Sequence, residues 1–572
     1  MSLPLHQHGP DGKPAIRNWQ AVMQPKRLAA MQPSRFSGVR AFVAKMVRER
    51  WDISLQRFDI DETASGTVVY SIRTPKQEFS FIAFSYPPSA QGRTGRIIGR
   101  AWDMMGTLNE GPATETDIES ARVELPKLYS GRATPNALVW CRSNRSMRAF
   151  TSTLEALAGG EQPKLEDLNA VCYLMRNTGL DGNGTFGTRS FPSLGPDHAL
   201  GGVLEAQLLV GYLMREYACD LVSRLAQLKS EKAVPLAPEL RRYLGVGNGS
   251  ALGLIFFIHR HPRLLNSWLK GRETVIAQAL GLTLGAEDPG VETLMSLVER
   301  AVTFRREDRA HYETFASSQK VAEELEIILA DLKAFRASGE IEGVVPDYPF
   351  DVLARKYEGC FEPETYETFL SLLIELLPEA ADALATEAGG ADELAVNPCE
   401  TVQDLKDLLK AEYQWAFDLD MTGPGAREFV WYKSETAEEP RRGARSEVPE
   451  ARDLGLDVPG GIQALSADLE AEAPDMTMAR FLLKYPAHRL MVARAQSLKG
   501  QHFHTPHANI NADDFVPIDL VRLMNVAFHG IDKTRDYLNR NLRGVLYHGA
   551  PTPDDIRAGR GETWFYPAEP TV

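Results

Sequence analysis

The sequence predicts an α+β protein that is predominantly α-helical. Three observations carry that expectation. Residues 66–74 ("GTVVYSIRT") and 78–86 ("EFSFIAFSY") alternate apolar and polar side chains on either side of a short "PKQ" turn, the pattern of a β-hairpin with one buried face. From about residue 142 the apolar spacing changes to the three-and-four repeat of helices and holds for most of the chain. Residues 433–461 are charged, contain Pro and Gly and have few apolar side chains, so they read as a linker or long loop. The 572 residues exceed what one ordinary core organises. The expected division is an N-terminal arm (1–34), a small domain with an antiparallel sheet and helices (35–130), a main helical domain (131–432), the linker (433–461) and a C-terminal helical module (462–572).

Element by element, "FSGVRAFVAKMVRERW" (36–51) reads as an amphipathic helix, the hairpin follows, and "GRIIGRAWDMM" (95–105) adds a third strand. "LEDLNAVCYLMRN" places Leu165, Leu168, Val171, Cys172 and Met175 on one helical face. "GGVLEAQLLVGYLMREYACDLVSRLAQL" (201–228) repeats that pattern over a longer stretch. Residues 291–335 form one bent helix or two, and residues 366–385 and 401–417 continue the helical period. In the C-terminal module, "MARFLLKYPAHRLMVARAQSL" (478–498) and "PIDLVRLMNVAFHGIDKTRDYLNRNL" (517–542) are its helices.

The formal net charge of −14 favours solubility and argues against broad binding to nucleic acid or anionic membrane. Five scattered cysteines (Cys141, Cys172, Cys219, Cys360 and Cys399) contain no C-x-x-C pair, which argues against a disulfide framework or a thiolate zinc site. The opening "MSLPLHQHGPDGKPA" has no apolar signal core. The strongest apolar run, "ALGLIFFI", is far shorter than the roughly 20 residues of a membrane span. A cytoplasmic location is the expectation.

Two glycine-rich stretches stand out, "RNTGLDGNGTFGTRSF" (176–191) and "LGVGNGSALGLIFF" (244–257). The first contains Gly182, Gly184 and Gly187 in G-x-G-x-x-G spacing. A dinucleotide site needs a strand before those glycines and a helix directly after them. The preceding residues read as helix and Pro192 follows, so both conditions are expected to fail. Gly179 then ends the preceding helix, and Asn248 or Ser250 caps a helix from about Ala251 whose free N–H groups favour an anion. Turn formation and helix packing are the structural alternative.

Residues 131–148 hold Arg132, Arg142, Arg145 and Arg148 and no acid, while Arg176 and Arg189 flank the first glycine stretch. If Ser143 caps a helix, Arg145 lies in its first turn, where a cation is unfavourable unless an anion is near. Guanidinium groups grip carboxylate and phosphate through paired hydrogen bonds. Arg142, Arg145, Arg176, Asn183, Arg189 and Asn248 are therefore the candidate substrate-binding residues. Ion pairing with the chain's own carboxylates is the alternative.

"GQHFHTPHANIN" (500–511) places three histidines within six positions. His502, His504 and His507 are the candidate catalytic residues and the candidate metal ligands, with Asp513 or Asp514 available to complete a set. Acid–base work without metal, or a polar loop, are the other readings. His259 and His261 read as structural, and His529 and His548 are further members if the fold brings them close. The cofactor is unknown, a divalent metal being the candidate.

The chain has no nucleophile elbow, Walker loop, kinase signature or zinc-protease helix. Three readings follow: an enzyme of small-molecule metabolism acting on an anionic carboxylate or phosphate, with histidine acid–base or metal-assisted chemistry; a nucleotide- or flavin-dependent oxidoreductase; and a non-enzymatic helical scaffold. The first is preferred. The expected partners are an anionic small molecule and, through the long apolar helices, another copy of the chain in a homo-oligomer.

Overall fold

The structure, a computed structural model, describes residues 5–86, 102–125, 136–169, 171–178, 194–195, 197–248, 262–307, 316–389, 395–423, 431–434, 437–442, 451–453, 458–498, 523, 526–527, 544–561, 564 and 566–571. Among the described residues helices predominate, around a curled eight-stranded sheet, which is the mixed, mainly helical class expected.

The strands are β1 (Asp52–Ile60), β2 (Gly66–Arg73), β3 (Glu78–Ser85), β4 (Met104–Glu110), β5 (Ala137–Arg145), β6 (Tyr173–Thr178), β7 (Gly245–Asn248), β8 (Trp431–Ser434), β9 (Ala437–Arg442), β10 (Ala451–Asp453) and β11 (Gly544–Leu546). The large sheet has the order β1-β2-β3-β4-β5-β6-β7-β11. Every neighbouring pair in it is antiparallel except β6 and β7, which run parallel. The sheet crosses the boundary expected near residue 130, with β1–β4 before it and β5–β7 and β11 after it.

The β2–β3 hairpin forms as expected, with Arg73 opposite Glu78 and Gly66 opposite Ser85. β1 was not expected; it pairs with the far side of β2. Gly66 makes that pairing possible. Its φ is +151°, and a Cβ there would sit 1.7 Å from the Asp59 carbonyl oxygen, so only glycine lets β2 start so close to β1. The expected third strand, 95–105, begins instead at Met104; residues 95–101 lie outside the described residues.

Two helical expectations are overturned. Residues 137–145 form β5, so Ser143 caps no helix and Arg145 lies in no first turn. "ALVWCRSNR" is a strand because its alternate side chains divide between two environments. Trp140 joins the small cluster with Ile82, Phe84 and Ile118, whereas Val139 and Cys141 enter the main core. The proposed helical face of Leu165, Leu168, Val171, Cys172 and Met175 is also broken. The helix Leu165–Asn169 is short, Cys172 turns the chain in the left-handed region (φ 54°), and Met175 lies on β6. Apolar spacing alone does not separate a buried strand from a buried helix.

β6 and β7 are joined through the 25-residue helix Glu205–Lys229, which packs on β5, β6 and β7. This is a strand–helix–strand crossover, the usual way to connect parallel neighbours. The helix is buried along most of its length. Its Arg215 is held by Glu216 and donates to the carbonyls of Tyr547, Ala550 and Pro551, tying the segment after β11 to the helix.

The helical half contains Gly38–Arg48, Pro262–Leu280, Pro289–Arg306, Ser318–Ser338, Pro349–Tyr357, Pro363–Ile374 and Pro378–Gly389. The 291–335 stretch is two helices. Asp288 and Ser317 cap their starts through side-chain oxygens, and Gly339 ends the second in the left-handed region. Residues from Leu5 to Met31, expected to be a polar arm, contribute Leu5, Val22, Met23, Leu28 and Met31 to the main core. Arg17 fixes this segment by bridging Glu273 and Glu367 on two different helices.

A second core gathers Val402, Leu405, Leu409, Ile462, Leu465, Phe481 and Val492. It draws on Val402–Glu412, Val458–Glu470, Met478–Lys484 and Arg489–Ser497, the last two separated at Pro486. The linker expected at 433–461 contains β9, β10 and the ends of β8 and of helix Val458–Glu470. Among the described residues, no helix is long and apolar enough to cross a membrane.

Candidate anion site at the parallel strand pair

The arginines picked from the sequence are divided by the sheet. Arg142 on β5 faces Thr178 of β6, and Asn144 faces Arg176, so Arg142 and Arg176 lie on the same face of adjacent strands. They are diagonal neighbours, a relation that spans about 7–8 Å between backbones. Both are buried, Arg142 at 1% and Arg176 at 9% exposure. The Arg142 guanidinium lies 4.0 Å from the centre of the Trp102 ring, which faces it with the electron-rich surface a cation favours. On the other side of Arg176, Gly247 of β7 is its backbone partner, and the Tyr173 ring occupies the space a Cβ of Gly247 would need.

Arg145 is one residue out of phase with Arg142 and points to the opposite face. Its guanidinium lies 5.0 Å from the Phe150 ring, its Nε is 3.9 Å from the Asp103 carboxylate, and its backbone N–H donates to the same Asp103 at 2.9 Å. It therefore holds the β4 entry against the end of β5 and does not join the Arg142–Arg176 pair. Asn177 lies on that same second face, fully buried, with neither side-chain nitrogen nor oxygen hydrogen-bonded among the described residues. The sequence reading passed over Asn177, Trp102 and Tyr173. Reading "WCRSNR" as alternating would have paired Arg142 with Trp140 and separated it from Arg145.

Asn183 and Arg189 lie outside the described residues, as do His502, His504, His507, Asp513, Asp514, His529, His259, His261 and Gly179. Asn248 is the last residue of β7 and pairs through its backbone with Asn177. Among the described residues, no three His, Cys, Asp or Glu side chains gather as a metal site.

His548 is buried beside β7, far inside the molecule. Its Nδ1 lies 2.5 Å from the Tyr243 carbonyl and its ring meets the Tyr243 ring edge-on at 4.5 Å. Tyr243 in turn donates its hydroxyl to Asn169 at 2.5 Å and lies next to Cys172. This cluster ties the starts of β6 and β7 to the end of β11.

One condition for a phosphate loop, expected to fail, is met. The first glycine stretch follows β6 directly, and the second begins within β7. The residues directly after Gly187 lie outside the described residues, and the next described helix starts at Glu205, 18 residues beyond Gly187. A dinucleotide fingerprint places its pyrophosphate on a helix that begins at the glycines. Comparison of the chain with protein-family models, curated proteins and solved structures finds no match.

Proposed function

We propose that the chain is an enzyme of small-molecule metabolism that binds a carboxylate or phosphate where β6 and β7 end. The supporting observation is the arrangement of this strand pair. Among the described residues it is the one parallel pair of the large sheet, and both glycine-rich stretches leave from its carboxyl ends. Ligands of open sheets collect outside the carboxyl ends of parallel strands. Glycine allows backbone N–H groups to come close to an anion. Arg142 and Arg176 supply two buried guanidiniums on one face beside that end, the chemistry that grips a planar or tetrahedral anion. His502, His504 and His507 would supply acid–base or metal-assisted chemistry to the bound substrate.

The test is calorimetric titration of the purified protein with inorganic phosphate, citrate and ADP, alongside the Arg176→Gln/Arg189→Gln variant. Saturable binding of at least one anion, weakened about tenfold or more by the substitutions, is expected from the loss of charge-assisted hydrogen bonds. Equal binding by a folded variant overturns the reading. Preference for ADP over phosphate and citrate would favour the nucleotide-dependent reading, which the strand before Gly182 supports.

A further inference from the structure

A second cleft lies at a different part of the sheet, where β1 and β3 finish and β2 begins. It is an open cleft of about 540 Å³, within the range of about 300–1,000 Å³ typical of small-molecule sites. The lining brings four charged side chains together with aromatic ones. Asp59 and Asp61 come from the end of β1 and its turn, Arg122 from helix Glu115–Glu124, and Arg224 from helix Glu205–Lys229. Phe58 supplies apolar surface on the main-core face and Tyr86 on the face of the small cluster. Nothing in the site proposed above uses these residues.

The four charges differ in how far they are already engaged. Asp59 is bound by Arg57. Arg122 donates to Thr67 at 2.9 Å, lies 4.8 Å from the Phe84 ring and approaches Glu119. Asp61 uses only Oδ1 in its turn, accepting from the Thr63 N–H at 2.8 Å, the Thr63 hydroxyl at 2.7 Å and the Ser65 N–H at 3.0 Å. Its Oδ2 takes no part in those bonds. Arg224 makes no hydrogen bond or ion pair with any described residue. The cleft therefore offers one uncommitted guanidinium and one uncommitted carboxylate oxygen beside the Phe58 ring.

Two carboxylates and two guanidiniums leave the lining with no net charge. A dianion such as phosphate would meet Asp59 and Asp61 as like charges, and a simple cation would meet Arg122 and Arg224. A molecule bearing both signs satisfies the lining. We propose that this cleft binds a small zwitterion with an apolar group, an aromatic α-amino acid being the simplest case. Its carboxylate lies against Arg224, its ammonium faces Asp61 Oδ2, and its ring packs on Phe58.

L-Phenylalanine, its amide and its N-acetyl derivative test this directly, each titrated into the full-length protein by calorimetry. L-Phenylalanine is expected to bind saturably. The amide lacks the carboxylate and the N-acetyl derivative lacks the ammonium, so each is expected to bind about fivefold or more weaker. Arg224→Gln and Asp61→Asn are expected to weaken L-phenylalanine by a similar factor. Asn at 61 keeps the Oδ1 acceptor of the turn, and position 224 is exposed, so both variants are expected to melt with the parent protein. Absence of saturable L-phenylalanine binding overturns the proposal. So does equal affinity for the three compounds, or unchanged affinity in both variants. None of these outcomes depends on Arg142, Arg176 or the anions used to test the strand-pair site.

Discussion

Arginine and carboxylate meet in two very different ways in this protein. In the helical core, Arg17 donates to Glu273 at 2.6 Å and to Glu367 at 2.7 Å, and Arg27 and Arg272 each reach Glu367 at 3.1 Å. The side chains of Arg17, Arg272, Glu273 and Glu367 are at most 1% exposed. At the β1–β3 cleft the same residue types stand at the surface, with Arg224 unengaged and Asp61 half engaged. Burial and completeness of pairing separate the two sets. A buried charge is tolerated only when its partners are in place, so a closed network fixes chain segments together. An exposed and incomplete set costs little to maintain and retains capacity for a ligand.

The closed network breaks most severely at Arg17. Arg17→Ala leaves Glu273 buried against only Arg272, and Glu367 without its shortest contact. Removing one partner of a buried pair typically costs about 3–5 kcal/mol, a large share of the roughly 5–15 kcal/mol that stabilises most domains. Denaturant titration should show that loss. Arg17→Met combined with Glu273→Gln and Glu367→Gln should be more stable than Arg17→Met alone, because the stranded charges are gone. If Arg17→Ala costs under about 1 kcal/mol, the network is not what seats the N-terminal segment.

The same region should be sensitive to acid, in two steps. Burial, reinforced by Arg17 and Arg27, pushes the His6 imidazole down to about 3. Burial alone would raise the Glu367 carboxyl, but Arg17, Arg272 and Arg27 outweigh it and hold it at about 2. Both groups bind protons more weakly in the fold than in the unfolded chain, so both favour the fold at high pH. The His6 share is complete above its ordinary value of 6.5 and is lost as pH falls toward 3. The Glu367 share is lost between 4.5 and about 2. Between pH 6.5 and 4.5, the parent protein should therefore lose stability relative to His6→Asn by up to about 1.4 kcal/mol per pH unit. Parallel curves for the two proteins across that window would show that His6 stays accessible to protons in the fold.

The contrast between regions also explains what could be read beforehand. The β2–β3 hairpin was legible because its alternation is local and its turn is short. Helices Pro289–Arg306 and Ser318–Ser338 were legible because each keeps one apolar face over several turns. β5 and β6 were not. Their central residues are buried on both faces, so their apolar runs lack clean alternation and resemble helix. Arg142, Arg145 and Arg176 were singled out together as candidate anion-binding residues, and Arg142 and Arg176 do share one face of adjacent strands. Their grouping with Arg145 failed because a strand, unlike the supposed helix, sends residues 142 and 145 to opposite sides. Arg17 was passed over for another reason: its partners lie 256 and 350 residues away, and no local pattern marks such a contact.

The smallest effect sharpens the comparison most cleanly. Arg306 and Glu326 make the same kind of contact as Arg17 and Glu367, with Arg306 Nε donating to Glu326 at 2.7 Å. They too join two helices, Pro289–Arg306 and Ser318–Ser338. Their side chains, however, are 49% and 40% exposed. Water solvates either partner when the other is removed, and salt screens what remains of the attraction. Glu326→Ala should therefore change stability by no more than about 0.5 kcal/mol, and added salt should shrink that difference further. A loss approaching that of Arg17→Ala would mean that the length and direction of the contact govern its contribution. A change within the expected range leaves burial as the property that turns an arginine–glutamate pair from a surface feature into a structural lock.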